Sequence, residues 1–189
     1  MLIPISSKDI IRFTPSAYKD DPAAPVYILS VPTIAGKAKF HREMAVNGCK
    51  FHSDEEFIQM LREGVNAVIE ESQRASVLET IDVYDLYRKE KKESAADLAL
   101  EIANIEKTIL QHYQPYAELN ADRNFYFSMY PIILTSLFLK GWENKEPAFK
   151  KTGDHISEES INAISAGDLN EIGMKLMELM SPSGKTEKN

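Results

Sequence analysis

The chain has 189 residues, enough for one domain of ordinary size whose core needs no disulfide staples. A composition of 43% hydrophobic and 27% charged residues excludes wholesale disorder. The single cysteine excludes an internal disulfide, which suits a reducing compartment. The net charge of −7 is uneven: residues 1–50 carry seven basic against four acidic side chains, and residues 51–118 seven against fifteen. An acidic middle repels phosphate, and the densest basic run, YRKEKKE at 87–93, is interrupted by Glu90 and Glu93. No nucleic-acid partner is therefore expected.

The opening residues, MLIPISSKDIIRF, lack the basic start, long apolar run and cleavage site of a signal peptide, so a cytoplasmic protein is expected. Five of the nine prolines fall within residues 1–32, around two runs rich in β-branched and aromatic residues, IIRF (10–13) and VYILSV (26–31). These predict a two-stranded β element with a proline-bounded loop. Two strands alone are marginal in water, so the element has to lie on the body or pair with another chain.

From Thr33 onward the signals are helical. Ser53 with Glu56 and Ser76 with Glu79 read as capping boxes, and Ser94 with Asp97 as a shorter-armed version. Ile156, Ser157 and Ile161 fit a hydrophobic staple, and Asp168 with Glu171 places acids at the start of a last helix. Apolar stripes follow these starts: Phe57, Leu61, Val65 and Val68; then Leu98, Ile102, Ile105 and Ile109, in a helix that Pro115 should end or kink; and Leu169, Ile172, Leu176 and Leu179. The longest uncharged run, 124–139, has 16 residues with Pro131 inside it. A spanning helix needs about 20, so a buried central helix and no membrane are expected. Together these give a mainly α fold: an N-terminal β/loop element at 1–32, a helical domain at 33–180 and a flexible tail at 181–189.

The chemistry inventory is thin. His41, Cys49 and His52 are close in sequence, but a structural zinc site wants four ligands and usually two cysteines at fixed spacing. SGKT at 183–186 resembles the end of a phosphate loop, yet Leu179 stands where the first glycine is needed. No G-x-S-x-G, H-E-x-x-H or dinucleotide fingerprint occurs. No catalytic residue, metal or cofactor is expected, and the chain is read as non-enzymatic.

What remains is contact surface. The segment HYQPYAELNADRNFYFSMY concentrates aromatic residues, of which Tyr126 and Tyr130 are candidate partner contacts. Met174 and Met177 of the last helix are candidates too, since methionine suits adaptable grooves as well as plain core. The only tryptophan lies in FLKGWENKEPAF (138–149). Lys140 and Gly141 read there as the last turn and cap of a helix, with Trp142 folding back over its end and Phe149 closing the loop after Pro147. A structural role for Trp142 is favoured, with partner contact by Trp142 and Phe149 as the alternative.

The order of features resembles the tail assembly chaperones of long-tailed bacteriophages and prophages. The matching pieces are FTPSAYKDDPAAPVYILSVPT, FHSDEEFIQMLREGV, FLKGWENKEPAF, GDHISEESINAISAGDLNEIGMKLMELM and a terminal EKN, which are spread along the chain from residue 13 to residue 189. No single piece is a sharp signature; their order carries the resemblance. It implies a helical helper that binds the tape measure protein, shields its apolar faces and promotes assembly of the tail-tube protein around it. It further implies action in the host bacterial cytoplasm, absence from the mature virion, and compatibility with a homo-oligomer, such as a ring or spiral along the client. A generic helical adaptor is the alternative, and an enzyme of unmarked type a more distant one. The resemblance also implies a frameshifted longer product, for which a slippery codon pair at Gly184–Lys185 is the candidate position. Sequencing the gene tests this: a slippery heptamer with an overlapping downstream frame is expected near codon 184, and its absence removes the idea.

Overall fold

The structure is a computed structural model that describes residues 9–91, 95–153 and 155–180. Ser94 of the third capping pair and the tail at 181–189, with SGKT and the Gly184–Lys185 pair, lie outside the described residues. The fold is mainly α, with 67% of the described residues helical, and carries a small antiparallel sheet. The chain divides into two compact units: residues 1–49 with 126–189, and residues 50–125. The second of these units lies within the helical domain expected at 33–180.

In the first unit, β1 (Ile10–Phe13) and β2 (Val26–Ser30) pair antiparallel, with Ile10 opposite Ser30 and Phe13 opposite Tyr27. The sheet has a third strand that the sequence reading missed. After Phe138 the chain does not cap and fold back; it continues as β3 (Leu139–Glu143) along the other edge of β2. Tyr27 faces Trp142 and Ile28 faces Gly141, with an irregularity between Ile28 and Leu29. Gly141 is therefore a strand residue and not a helix cap. The reason is long-range: β2 offers unpaired N–H and C=O groups, and a third strand gives the hairpin the support that two strands lack. Arg12 of β1 and Glu143 of β3 bridge the exposed face by an ion pair across the sheet.

The inner face of β2 follows period two, with Tyr27 and Leu29 fully buried between half-buried neighbours. They join a core formed by Phe40 and Met44 of α1 (Ile34–Val46), Leu134 and Phe138 of α5 (Gln114–Phe138), and Ile172 and Leu176 of α7 (Ala166–Met180). The uncharged run at 124–139 is thus mostly a core helix, and among the described residues no helix is long and apolar enough to cross a membrane. A two-residue hairpin, β4 (Lys151–Thr152) with β5 (His155–Ile156), leads to α6 (Glu158–Asn162). Ser157 caps α6 by accepting from the Ser160 amide, while Ile156 and Ile161 both pack on the core.

Asp168 stands in the first turn of α7, as the sequence predicts, but it does not open the helix. The helix begins at Ala166, and the Ser165 hydroxyl accepts from the Asp168 amide as its cap. Asp168 and Glu171 instead reach the N-terminal element. The Tyr27 hydroxyl donates to Asp168 Oδ2 at 2.7 Å, with the two residues 0% and 4% exposed. The Ser16 amide and hydroxyl each donate to the Glu171 carboxylate at 2.7 Å. Burial, then the hydrogen bond to Asp168, raises the Tyr27 phenol well above its ordinary value, so it stays a donor.

The second unit is built from α2 (Asp54–Val68), α3 (Glu71–Lys89), α4 (Ala95–His112) and the first turns of α5. The Ser53–Glu56 capping box forms in full. Ser76–Glu79 does not: α3 starts at Glu71, five residues earlier, and Ser76 lies inside it, its carbonyl accepting from the Thr80 hydroxyl. Good helix formers such as Gln73, Arg74 and Ala75 extend the helix through the motif. Pro115 stands in the first turn of α5, where its missing N–H breaks no helical hydrogen bond, and α4 has already ended at His112. Phe57, Leu61 and Val65 meet Ile81, Ile102, Ile109 and Tyr116 in the core. Gly64 permits the α2–α4 approach, since a Cβ there would stand 2.4 Å from Ile109 Cγ2.

Beside this core, buried Asp85 accepts from Arg88 Nη2 at 2.9 Å and Lys89 Nζ at 2.8 Å, with Arg62 Nη2 3.6 Å away. Burial alone would raise the Asp85 carboxyl, but the bonds from Lys89 and Arg88 outweigh it and hold it below the usual carboxylate range.

Two outcomes follow from these buried acids. Tyr27→Phe leaves Asp168 without its tyrosine donor and is expected to lower stability by about 1–3 kcal/mol, read from urea midpoints. For Asp85, a depressed native pKa means stabilisation that is present above its unfolded value of about 3.9 and lost as pH falls through the native one. Asp85→Asn should therefore be less stable than wild type at neutral pH, and should lose less stability than wild type on acidification to pH about 3. Equal losses in urea titrations at the two pH values would remove Asp85 from the acid response.

Candidate interaction surface

The six residues singled out from sequence all fall in the first unit, and the structure separates them into two groups. Trp142 and Phe149 form one. Trp142 is a strand residue, 9% exposed, with its ring edge toward Tyr27 at 6.4 Å and against Phe149 at 5.1 Å. Its indole N–H donates to the carbonyls of Lys145 and Pro147 at 3.1 and 3.0 Å. The only tryptophan thereby ties the 144–149 loop to the sheet, and Asn144 adds a bond from its side-chain amide to the Ala24 carbonyl.

The second group lies on α5 and α7. Tyr126, Phe127 and Tyr130 form a ring cluster, with centroids 5.7, 6.1 and 6.4 Å apart. Tyr126 and Tyr130 are half-buried and pack on the core, and burial raises the Tyr126 phenol. Phe127 is 50% exposed. Sequence reasoning placed Phe127 in the aromatic segment without singling it out. Its signal is the spacing: Tyr126, Tyr130 and Leu134 share the core-facing side, and Phe127 is rotated one position outward.

α7 approaches this cluster closely. Gly173 packs on α5 so tightly that a Cβ would stand 2.6 Å from Pro131 Cβ and 3.3 Å from Tyr130 Cε2. The next residue, Met174, is 60% exposed, whereas Met177 packs against the core and Met180 is buried. The methionines of α7 thus divide between surface and core along one helix, as 3.6-residue spacing requires.

Two clefts of the first unit gather polar side chains among the described residues. One cleft, of about 430 Å³, is lined by Ser30, Thr33, Lys39, Lys140 and Lys151 among others, with no carboxylate or imidazole among its described lining residues. The Ser30 hydroxyl donates to the Phe138 carbonyl there, and Thr33 caps α1. A second, of about 390 Å³, holds the Ser16–Glu171 pair, whose carboxyl is held below its usual range first by the Ser16 amide and then by its hydroxyl. A carboxylate stabilised in that way is a poor base toward the same hydroxyl. Among the described residues no group of three His, Cys, Asp or Glu side chains could hold a metal. Cys49 belongs to the first unit and His52 to the second, and burial raises the Cys49 thiol away from its reactive form. The arrangement therefore offers contact area in the form of aromatic and thioether surface.

No family model, curated protein or solved structure matches the chain.

Trp142→Ala is expected to cost about 3–5 kcal/mol, since it empties a core position between Tyr27 and Phe149. Trp142→Phe should cost less, because it keeps aromatic packing while leaving the Lys145 and Pro147 carbonyls without the indole donor. Thermal or urea unfolding of both variants gives the comparison; an unchanged midpoint for Trp142→Ala, with partner binding lost, would make the residue an interface contact.

Proposed function

We propose that this chain is a non-enzymatic binding protein that shields apolar helical surface on a client, acting as a phage tail assembly chaperone for a tape measure protein. The observation that carries the reading is the exposed Phe127, beside the Tyr126–Tyr130 ring cluster of α5, together with the exposed Met174 of α7, on two helices in close contact at Gly173 and Pro131. Aromatic rings supply large contact area at low conformational cost, and an exposed methionine adapts its shape to different partner side chains. Such a face suits an amphipathic helix that needs cover and no chemistry. A net charge of −7 favours the solubility that a holdase needs, and the resemblance supplies the client: the tape measure protein, with tail-tube subunits as the molecules that later replace the helper.

Co-expression tests this directly. The long helical reading frame that follows a tail-tube gene in the same neighbourhood should be recovered soluble and bound when this chain is present, and insoluble when it is absent. The paired variant Phe127→Ser with Met174→Ser should change stability by no more than about 1 kcal/mol, because both side chains are exposed. The same variant should leave the client insoluble. A client that is insoluble and unbound with the wild-type chain overturns the chaperone reading. A client rescued equally by the variant moves the binding face elsewhere.

A further inference from the structure

We draw no further inference here: the strongest candidate, the cleft rimmed by Lys39, Lys140 and Lys151 beside the first turn of α1, rests on a helix N-terminus and surface lysines, and nothing among the described residues points to an anion that fills it.

Discussion

A phenol and a carboxylate, both out of reach of water, fix the N-terminal hairpin to the last helix. Neither group tolerates that environment alone, since a buried polar atom without a partner costs more than a made hydrogen bond returns. Tyr27 and Asp168 therefore specify one placement of β2 against α7 where apolar packing alone would accept several. Ser16 and Glu171 join the same two elements a second time, and across the β2–β3 pair Trp142 stands edge-on to Tyr27.

Local patterns were legible in the sequence wherever the deciding interaction was short in range. The Ser53 capping box, the Ser157 cap and the apolar stripes of α2, α4 and α7 depend on neighbours within two helical turns. The same motif at Ser76 was misleading, because a capping box is a preference at a helix start and cannot stop a helix from beginning five residues earlier. The largest omission, β3, was of the opposite kind. LKGWE has a lysine, a glycine and a glutamate among five residues and little strand propensity; its state is set by an edge more than 100 residues away in sequence. Asp168 and Glu171 show the same limit, since an acid near a helix start looks alike whether it faces water or a distant hydroxyl.

The surface was partly legible. An aromatic-rich segment and a methionine-bearing helix were recognisable, but which members point outward depends on helix phase and on what packs beside them. Gly173 decides the second point, since it lets α7 sit against Pro131 and leaves its successor, Met174, exposed. Trp142, the most conspicuous residue in the sequence, is committed to the fold through its ring contacts and its two indole bonds. Phe127, inconspicuous among its neighbours, is half exposed beside Tyr126 and Tyr130. Rarity in the sequence was a poorer guide to exposure than rotation about a helix axis.

The first unit is discontinuous: its two stretches, 1–49 and 126–189, flank all of the second. A nascent chain emerging from its N-terminus can thus assemble residues 50–125 from neighbours already made, whereas β2 keeps an open edge until residue 143 has left the ribosome. A fragment broken off before that point would carry an unpaired strand next to greasy side chains awaiting α7, the combination that promotes sticking. For most of its synthesis the chain is itself in need of shelter.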